Sequence, residues 1–317
     1  AYRHLEKQCR TVEDRRKLQD RSIVGGEAKT LPFMLCQMNL LLHGLESPRI
    51  DPGNSLRFKL SEIGDRDRVD VILTNPPFCG EEEKGIQGNF PADMQTSETA
   101  LLFLQLIMRR LRRAGRGGRD AGFGTRDAAD GFDIAGSDAR NSEPSTRYPS
   151  VGRAAVVVPN GTLFGDGAGA RIKEELLRGF NLHTIVRLPD GVFAPYTSIP
   201  TNLLFFDRSG PTREVWYYEQ PLPAGRKNYT KTAPIQVEDF AGCLAWWHDR
   251  QENDHAWRVP AEQILANNRN LDIKNPNAAK DLEHLPPEEL AASILQKEAR
   301  ITELMEKIRQ VLAGAEG

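Results

Sequence analysis

No stretch of these 317 residues is apolar for long enough to span a bilayer, and no signal-peptide pattern is present. A helical membrane protein is therefore excluded, and a cytoplasmic setting is the expectation. Cysteine is scarce: Cys9, Cys36, Cys79 and Cys243 stand far apart, without paired metal-ligand spacing. That excludes a disulfide framework and a zinc-ribbon arrangement, and fits reduced thiols. Net charge is nearly absent at −2, so any nucleic-acid contact must come from local basic patches or a partner. Glycine is missing altogether before Gly25. With 39% hydrophobic residues the chain can still bury a substantial core, enough for one large or two smaller domains.

What is present centres on Val69-Asp70-Val71-Ile72-Leu73-Thr74-Asn75-Pro76-Pro77-Phe78. An apolar, β-branched run of strand length ends in an amide, two prolines and an aromatic ring. The prolines have no N–H to continue a ladder, and each holds the residue before it extended. The outcome is a rigid loop at the C-terminal end of a strand, where open α/β sheets bind ligands. An exocyclic amine is a poor nucleophile because its lone pair is delocalised into the ring. Two acceptors on its hydrogens, the Asn75 amide oxygen and the Pro76 carbonyl, draw the nitrogen towards tetrahedral geometry. The Phe78 ring offers a stacking face for a planar base, and placement with electrostatics does the rest. The plain alternative is a strand ending in a proline turn.

Asn75-Pro76-Pro77-Phe78 resembles the catalytic motif of amino methyltransferases that use S-adenosylmethionine, above all the adenine-N6 DNA methyltransferases. The resemblance broadens along the chain. Met38-Asn39-Leu40-Leu41-Leu42-His43-Gly44, Gly53-Asn54-Ser55-Leu56, Arg153 to Gly161 and Ile185 to Phe193 occur in order around the motif. Together they are similar to the modification (M) subunit of type I restriction-modification systems, from about Val24 to the C-terminus. The resemblance implies that Glu27, at the end of a short strand, and Asn54, in the following turn, contact S-adenosylmethionine. It implies that Asn75, Pro76, Pro77 and Phe78 receive a flipped adenine, with Asn75 also near the cofactor. The implied partners are double-stranded DNA, a specificity (S) subunit and a restriction (R) subunit in a hetero-oligomer; no metal and no membrane are implied.

Around this centre, residues 1–22 read as a charged leading helix or frayed terminus. Residues 23–207 are expected to form the catalytic domain. Its helix over Leu31–Gly44 is closed by a glycine, with His43 capping the end rather than binding metal. Glu81-Glu82-Glu83-Lys84 opens a loop that is either a mobile clamp or simply solvated, and Ser97 is placed to cap the next helix. The basic run Arg109-Arg110-Leu111-Arg112-Arg113 suits phosphate or, equally, the helix dipole. Residues 114–149 are low-complexity and read as a disordered insertion. Gly165 to Ala170 mimics a dinucleotide fingerprint, with Asp190 downstream, but stands too far past its strand to make the tight turn; a flexible loop is expected, with a helix from Arg171. Residues 208–283 read as a β/loop subdomain, packed by Trp216, Tyr217, Tyr218, Trp246 and Trp247, with an extended linker at Asn270–Pro276. Residues 284–317 carry apolar positions at Leu290, Ile294, Ile301, Leu304, Ile308 and Val311, a heptad-like seam for a partner helix.

The expected fold class is α/β: a Rossmann-like sheet of the S-adenosylmethionine-dependent methyltransferase kind, apparently truncated at its first strand, with a C-terminal helical extension. A glycine-rich turn is needed about 20 residues before the ribose-binding acid, and the residues before Gly25 offer none. The expectation is therefore weak cofactor binding by this chain alone. Two further classes stay open: a catalytically incompetent remnant serving assembly or DNA contact, and an amino methyltransferase acting on protein glutamine or RNA.

Overall fold

The computed structural model describes residues 1–78, 80–113, 151–277 and 295–306. Contacts divide the chain into one compact unit ending at Pro276 and a second beginning at Asn277. In the first unit α1 (Tyr2–Glu6) and α2 (Val12–Arg21) lead. Where the sequence suggested one helix or a frayed end, there are two. Thr11 and Asp14 make a reciprocal capping box at the start of α2, and Tyr2 and Leu18 bury themselves against Leu45.

Next comes a parallel crossover unit, β1 (Val24–Gly26), α3 (Thr30–Leu42) and β2 (Arg49–Asp51). α3 ends as expected, with His43 as its cap and Gly44 at φ +95°. These two strands form a sheet of their own.

The main sheet has six strands in the order β3-β4-β6-β5-β7-β8. They are β3 (Val71–Thr74), β4 (Arg153–Pro159), β5 (Asn181–Arg187), β6 (Thr201–Asp207), β7 (Glu214–Glu219) and β8 (Ala256–Pro260). β3 pairs parallel with β4, and β5 with β7, while β6 and β8 run antiparallel to their neighbours. Four strands thus point one way and two are reversed. The helices are α4 (Lys84–Gln87), α5 (Thr99–Arg110), α6 (Gly167–Gly179), α7 (Ala241–His248) and α8 (Ala261–Ala266).

Alternation along each strand sorts side chains onto two faces. On one face, Ala154, Val156, Val158, Leu204, Phe206, Ile185, Val215 and Tyr217 pack under Leu101, Leu104 and Met108 of α5 and Ile172 and Leu176 of α6. On the other, Val186 and Tyr218 meet Cys243 and Trp246 of α7, with Phe205 edge-on to Trp247 at 4.7 Å. β7 and β8 therefore extend the same sheet across the 207/208 boundary drawn from sequence, and the aromatic residues of 208–283 pack onto that sheet. Trp246 and Trp247 sit on a helix rather than in the β or loop segments anticipated.

Two further expectations give way. α6 begins at Gly167, so most of the anticipated glycine loop is the helix's first turn. Ser97 does not cap α5; its N-cap is Glu98, whose N–H donates to Thr96. Residues 295–306, in the second unit, are helical with Leu295, Ile301, Leu304 and Met305 exposed. The anticipated insertion at 114–149 and the rest of the C-terminal seam lie outside the described residues.

Candidate active site

β3 delivers the loop at its C-terminal end. Asn75 and Pro77 are exposed and Pro76 is buried, so the loop is rooted through one proline and presents the amide outward. Phe78 is half-buried, with its ring edge-on to that of Phe193 at 5.1 Å and 76°. Such an edge-to-face pair is favourable, and it sets the two rings close to a right angle.

Phe193 comes from the segment between β5 and β6, which is folded by its own hydrogen bonds. Ala194 N–H donates to Gly191 O at 3.0 Å, and Tyr196 N–H to Phe193 O at 2.9 Å. Gly191 has φ +79°, and an added Cβ there would collide with the Tyr229 backbone. The Tyr229 N–H donates to Asp190 O at 3.0 Å, and its hydroxyl to Asp239 at 3.0 Å. The second ring is thus held by an Asp-Gly turn clamped against the Tyr229 backbone. Sequence reading placed Phe193 within a resembling motif without assigning it a role; the only signal was an aromatic residue in a glycine- and proline-bounded loop at a strand end.

A strap crosses the same end of the sheet. Leu271, expected in an extended linker, is buried, and its N–H donates to Leu163 O at 2.8 Å. Asp272 pairs with Arg187 at 2.8 Å and accepts from Asn160 at 3.4 Å, and Asn202 donates to Asn160 at 3.1 Å. Tyr217 donates to Leu271 O at 3.1 Å, and burial pushes its hydroxyl pKa above the usual range. Lys173 of α6 is fully buried and donates to Leu163 O and Gly165 O, with burial bringing its pKa down from 10.5 to about 8. Asn160, Asp272 and Lys173 were not singled out from sequence, because their roles depend on neighbours distant in the chain.

The loop following Phe78 is tethered rather than free. Glu82 is half-buried; its carboxylate accepts from Asn54 at 3.4 Å and from Thr99 at 3.4 Å, and its carbonyl from Gln87 at 2.6 Å. The acidic run thereby ends in α4 instead of the mobile loop anticipated. Asn54 is occupied on both sides, because its Oδ1 caps the short turn by accepting from Leu56 N–H at 2.9 Å. The structure therefore brings Asn54 within one side-chain contact of the segment after Phe78. Glu27 lies one residue past β1 in the separate two-stranded sheet, where its carboxylate accepts from Lys29 N–H at 2.8 Å. Asp51, at the matching end of β2, is paired with Arg57 at 2.7 Å.

The basic run sits at the opposite end of the sheet. Arg68 donates to the carbonyls of Arg109 and Leu111, and Arg208 to that of Met108, so both satisfy the last carbonyls of α5. Burial, with Arg68, Arg113 and Arg109 nearby, lowers the Arg208 pKa to about 10. These arginines finish a helix.

The described residues fit S-adenosylmethionine only in part. Glu27 carries, one residue past β1, a carboxylate of the kind that holds ribose hydroxyls, whereas both polar atoms of the Asn54 side chain are already engaged; Asn75 is exposed. Yet Gly25 and Gly26 are already used for close packing: a Cβ on Gly26 would lie 2.7 Å from Ser55 Oγ, and one on Gly25 would lie 3.3 Å from Ile50. Helices, not a strand and glycine turn, precede β1. The methionine end of the cofactor finds no cradle among the described residues.

Comparison with known proteins agrees with this layout. Residues 2–119 and 147–285 match the N-6 DNA Methylase family. The methylase subunit of the Escherichia coli type I restriction enzyme EcoEI is 45% identical over 324 residues, spanning 99% of this chain and 58% of that relative. A modification subunit of a putative type I restriction enzyme from Vibrio vulnificus is 60% identical with a TM-score of 0.75, covering 90% of this chain and 54% of its own. A chain from a structure on complex assembly and conformational transition of the type I R-M system is 37% identical, with a TM-score of 0.74 over 100% of this chain and 60% of that one. The chain thus spans less than two thirds of the length of these relatives.

Proposed function

The chain belongs to the N-6 DNA methylase family, and from that premise we propose that it carries the target-base site of an adenine-N6 DNA methyltransferase, the modification subunit of a type I restriction-modification system. The observation that carries this reading is the Asn75–Phe78 loop at the end of β3, rooted by buried Pro76 and walled by the perpendicular rings of Phe78 and Phe193. A base flipped from the duplex slides its ring against Phe78, with Phe193 edge-on beside it. Its exocyclic amine then donates to the Asn75 Oδ1 and the Pro76 carbonyl. As the nitrogen takes up a methyl group, whose bond to the donor's sulfonium sulfur would break to leave a neutral thioether, it gains positive charge, and both acceptors strengthen their hold on it in the transition state. The extra proton leaves to solvent afterwards, so no buried general base is needed. Asn160, Arg187 and Asp272 hold the strap across the same edge and keep this end of the sheet in shape.

The methyl group is to come from S-adenosylmethionine, with Glu27 and Asn54 on its nucleoside side. Because its methionine end lacks a seat, the 317 residues alone bind it weakly in this reading. The partners are double-stranded DNA, a specificity subunit that chooses the sequence, and a restriction subunit. The exposed apolar residues of 295–306 suit a partner helix. No helix among the described residues is long and apolar enough to cross a membrane, and the setting proposed is the cytoplasm.

Methyl transfer to plasmid DNA, assayed with a specificity subunit present, tests the role of the loop. Wild-type protein completed by the remaining polypeptide of such a subunit is expected to methylate adenine, and Asn75→Ala to do so about 10²–10³-fold more slowly. Equal activity of the two would overturn the assignment. Calorimetric titration of the isolated chain with S-adenosylmethionine is expected to show little heat. Tight binding would mean that the Gly165–Ala170 segment or residues 1–22 build a cradle after all.

A further inference from the structure

A surface that meets DNA needs cations near the base-receiving loop, and the arginines of 109–113 stand at the wrong end of the sheet. The topology points to another set. β3, β4, β5 and β7 run in one direction. Segments leaving their C-terminal ends therefore gather at the end that carries Asn75–Phe78. The segment after β7, residues 220–236, holds the cations Arg226, Lys227 and Lys231 and no carboxylate, in a chain whose net charge is −2. All three residues are exposed.

This loop is built rather than loose. Gln220 closes its base by donating to Asp239 O at 2.7 Å. Arg226 N–H donates to Pro223 O at 3.0 Å around Gly225, and Thr230 and Ala233 exchange backbone bonds at 3.2 and 3.1 Å. Between these two turns Tyr229 is fully buried, and its backbone is the one packed against Gly191. The middle of the cationic loop thus touches the turn two residues before Phe193. Lys227 and Lys231 each stand two residues from Tyr229, at most about 7 Å of chain, and the Arg226 guanidinium lies 5.8 Å from the Tyr229 ring. Nearby carboxylates do not cancel these charges. Asp239 is engaged by the Tyr229 hydroxyl and the Gln236 N–H, and residues 189–200 add only Asp190. The Phe193 segment also presents Tyr196, which is 92% exposed on a turn fixed by its N–H bond to Phe193 O.

Exposed cations beside an exposed aromatic ring are the composition of a nucleic-acid surface. We propose that Arg226, Lys227 and Lys231 hold backbone phosphates of the duplex beside the flipped nucleotide, and that Tyr196 lies against the nucleotide next to it. Turning a base out of the stack carries its sugar and phosphate with it. A phosphate-binding loop fastened to the turn that bears Phe193 holds the strand where the base must enter. Phosphate contacts fix position and orientation without reading sequence, which suits a chain whose target is chosen by another subunit. The inference rests on the function proposed above for its ligand, and adds to it the residues that seat the DNA.

The test measures how tightly the completed complex, with its specificity subunit, binds fragments of the same plasmid DNA from about 50 to 200 mM salt. Lys227→Gln combined with Lys231→Gln should lower the slope of log affinity against log salt by about 2, one for each lost phosphate contact. Tyr196→Ala should weaken binding about five-fold with the slope unchanged, because a stacking contact releases no counterion. Arg113→Gln removes an exposed charge at the opposite end of the sheet and should leave both affinity and slope alone. All of these positions are exposed, so unfolding midpoints should not move. An unchanged slope in the double lysine variant overturns the proposal. So does an equal loss per charge in Arg113→Gln, which would reveal a diffuse field instead of a contact. Unaltered binding by Tyr196→Ala overturns the part given to that ring. Binding that responds as described in a complex that transfers no methyl group counts against the proposed activity and leaves the phosphate contact standing.

Discussion

The two halves of the molecule use the same building blocks to different ends. Around β5, β6, β7 and β8 every apolar position has somewhere to go: Leu204 and Phe206 lie under α5 and α6, and Tyr218 and Trp216 lie under α7. Around β1, α3 and β3, apolar residues of the same kinds stand in solvent. The difference is not one of sequence pattern, because the strand of Val71 to Leu73 and that of Leu203 to Phe206 are equally apolar. It lies in how many layers are available to cover them. Burial rather than composition decides which residues hold the fold, and the loop that begins at Asn75 leaves from the less covered half.

The largest effect should come from truncating matched residues on either side of this divide. Phe206→Ala is expected to cost about 3–5 kcal/mol, and Leu73→Ala within about 0.5 kcal/mol. Denaturant unfolding followed by circular dichroism measures both, and similar costs would erase the distinction. Next, Asn75→Ala should lower methyl transfer by about 10²–10³-fold, the usual loss for one transition-state hydrogen-bonding group, with an unchanged unfolding midpoint. A joint loss of stability would mean that the loop is structural. Phe193→Ala belongs to both halves, since it leaves the covered half to meet Phe78. It should weaken binding of an adenine analogue by about 0.5–1.5 kcal/mol, the range for one lost edge-to-face contact, as read by fluorescence titration. An unchanged affinity would leave Phe78 as the sole wall.

The smallest effects are titrations within the covered half. His183 is held down from 6.5 to about 4 by burial and by Arg250. Between those values the unfolded chain binds the proton and the folded one does not, so stability falls as pH drops from 6.5 to 4. Lys173, brought down from 10.5 to about 8, works by the same sign: the unfolded chain holds more protons between pH 8 and 10.5, so stability climbs with pH there. Melting temperatures of His183→Asn and Lys173→Met should show the corresponding slope flattened. A wild-type melting curve without either slope would contradict both assignments.

Local chemistry made much of this legible in sequence. The proline pair stops β3 at the residue the sequence suggests, Gly44 ends α3, and the apolar runs at Ala154–Val158 and Thr201–Phe206 are strands. What escaped was set by distant neighbours. Leu271 reads as linker because its partner, Leu163, lies more than a hundred residues earlier. The glycines before Arg171 suggest a loop, yet Gly169 packs against Leu101 of α5 and is drawn into the helix. At the site, Asn75 to Phe78 were visible as a contiguous motif, whereas Phe193 reaches the same end of the sheet only because β5, which leads into its loop, runs in the direction of β3.

That separation along the chain also dictates when the two rings can meet. Phe193 follows Phe78 by more than a hundred residues, and the strap at Asp272 reaches Asn160 across 112 positions. A chain emerging from the ribosome therefore carries Asn75–Phe78 with no second ring beside it until the segment after β5 has been translated. The strap is available only after Asp272 has been made. A chain stopped between Phe78 and Phe193 therefore carries the motif without its second ring.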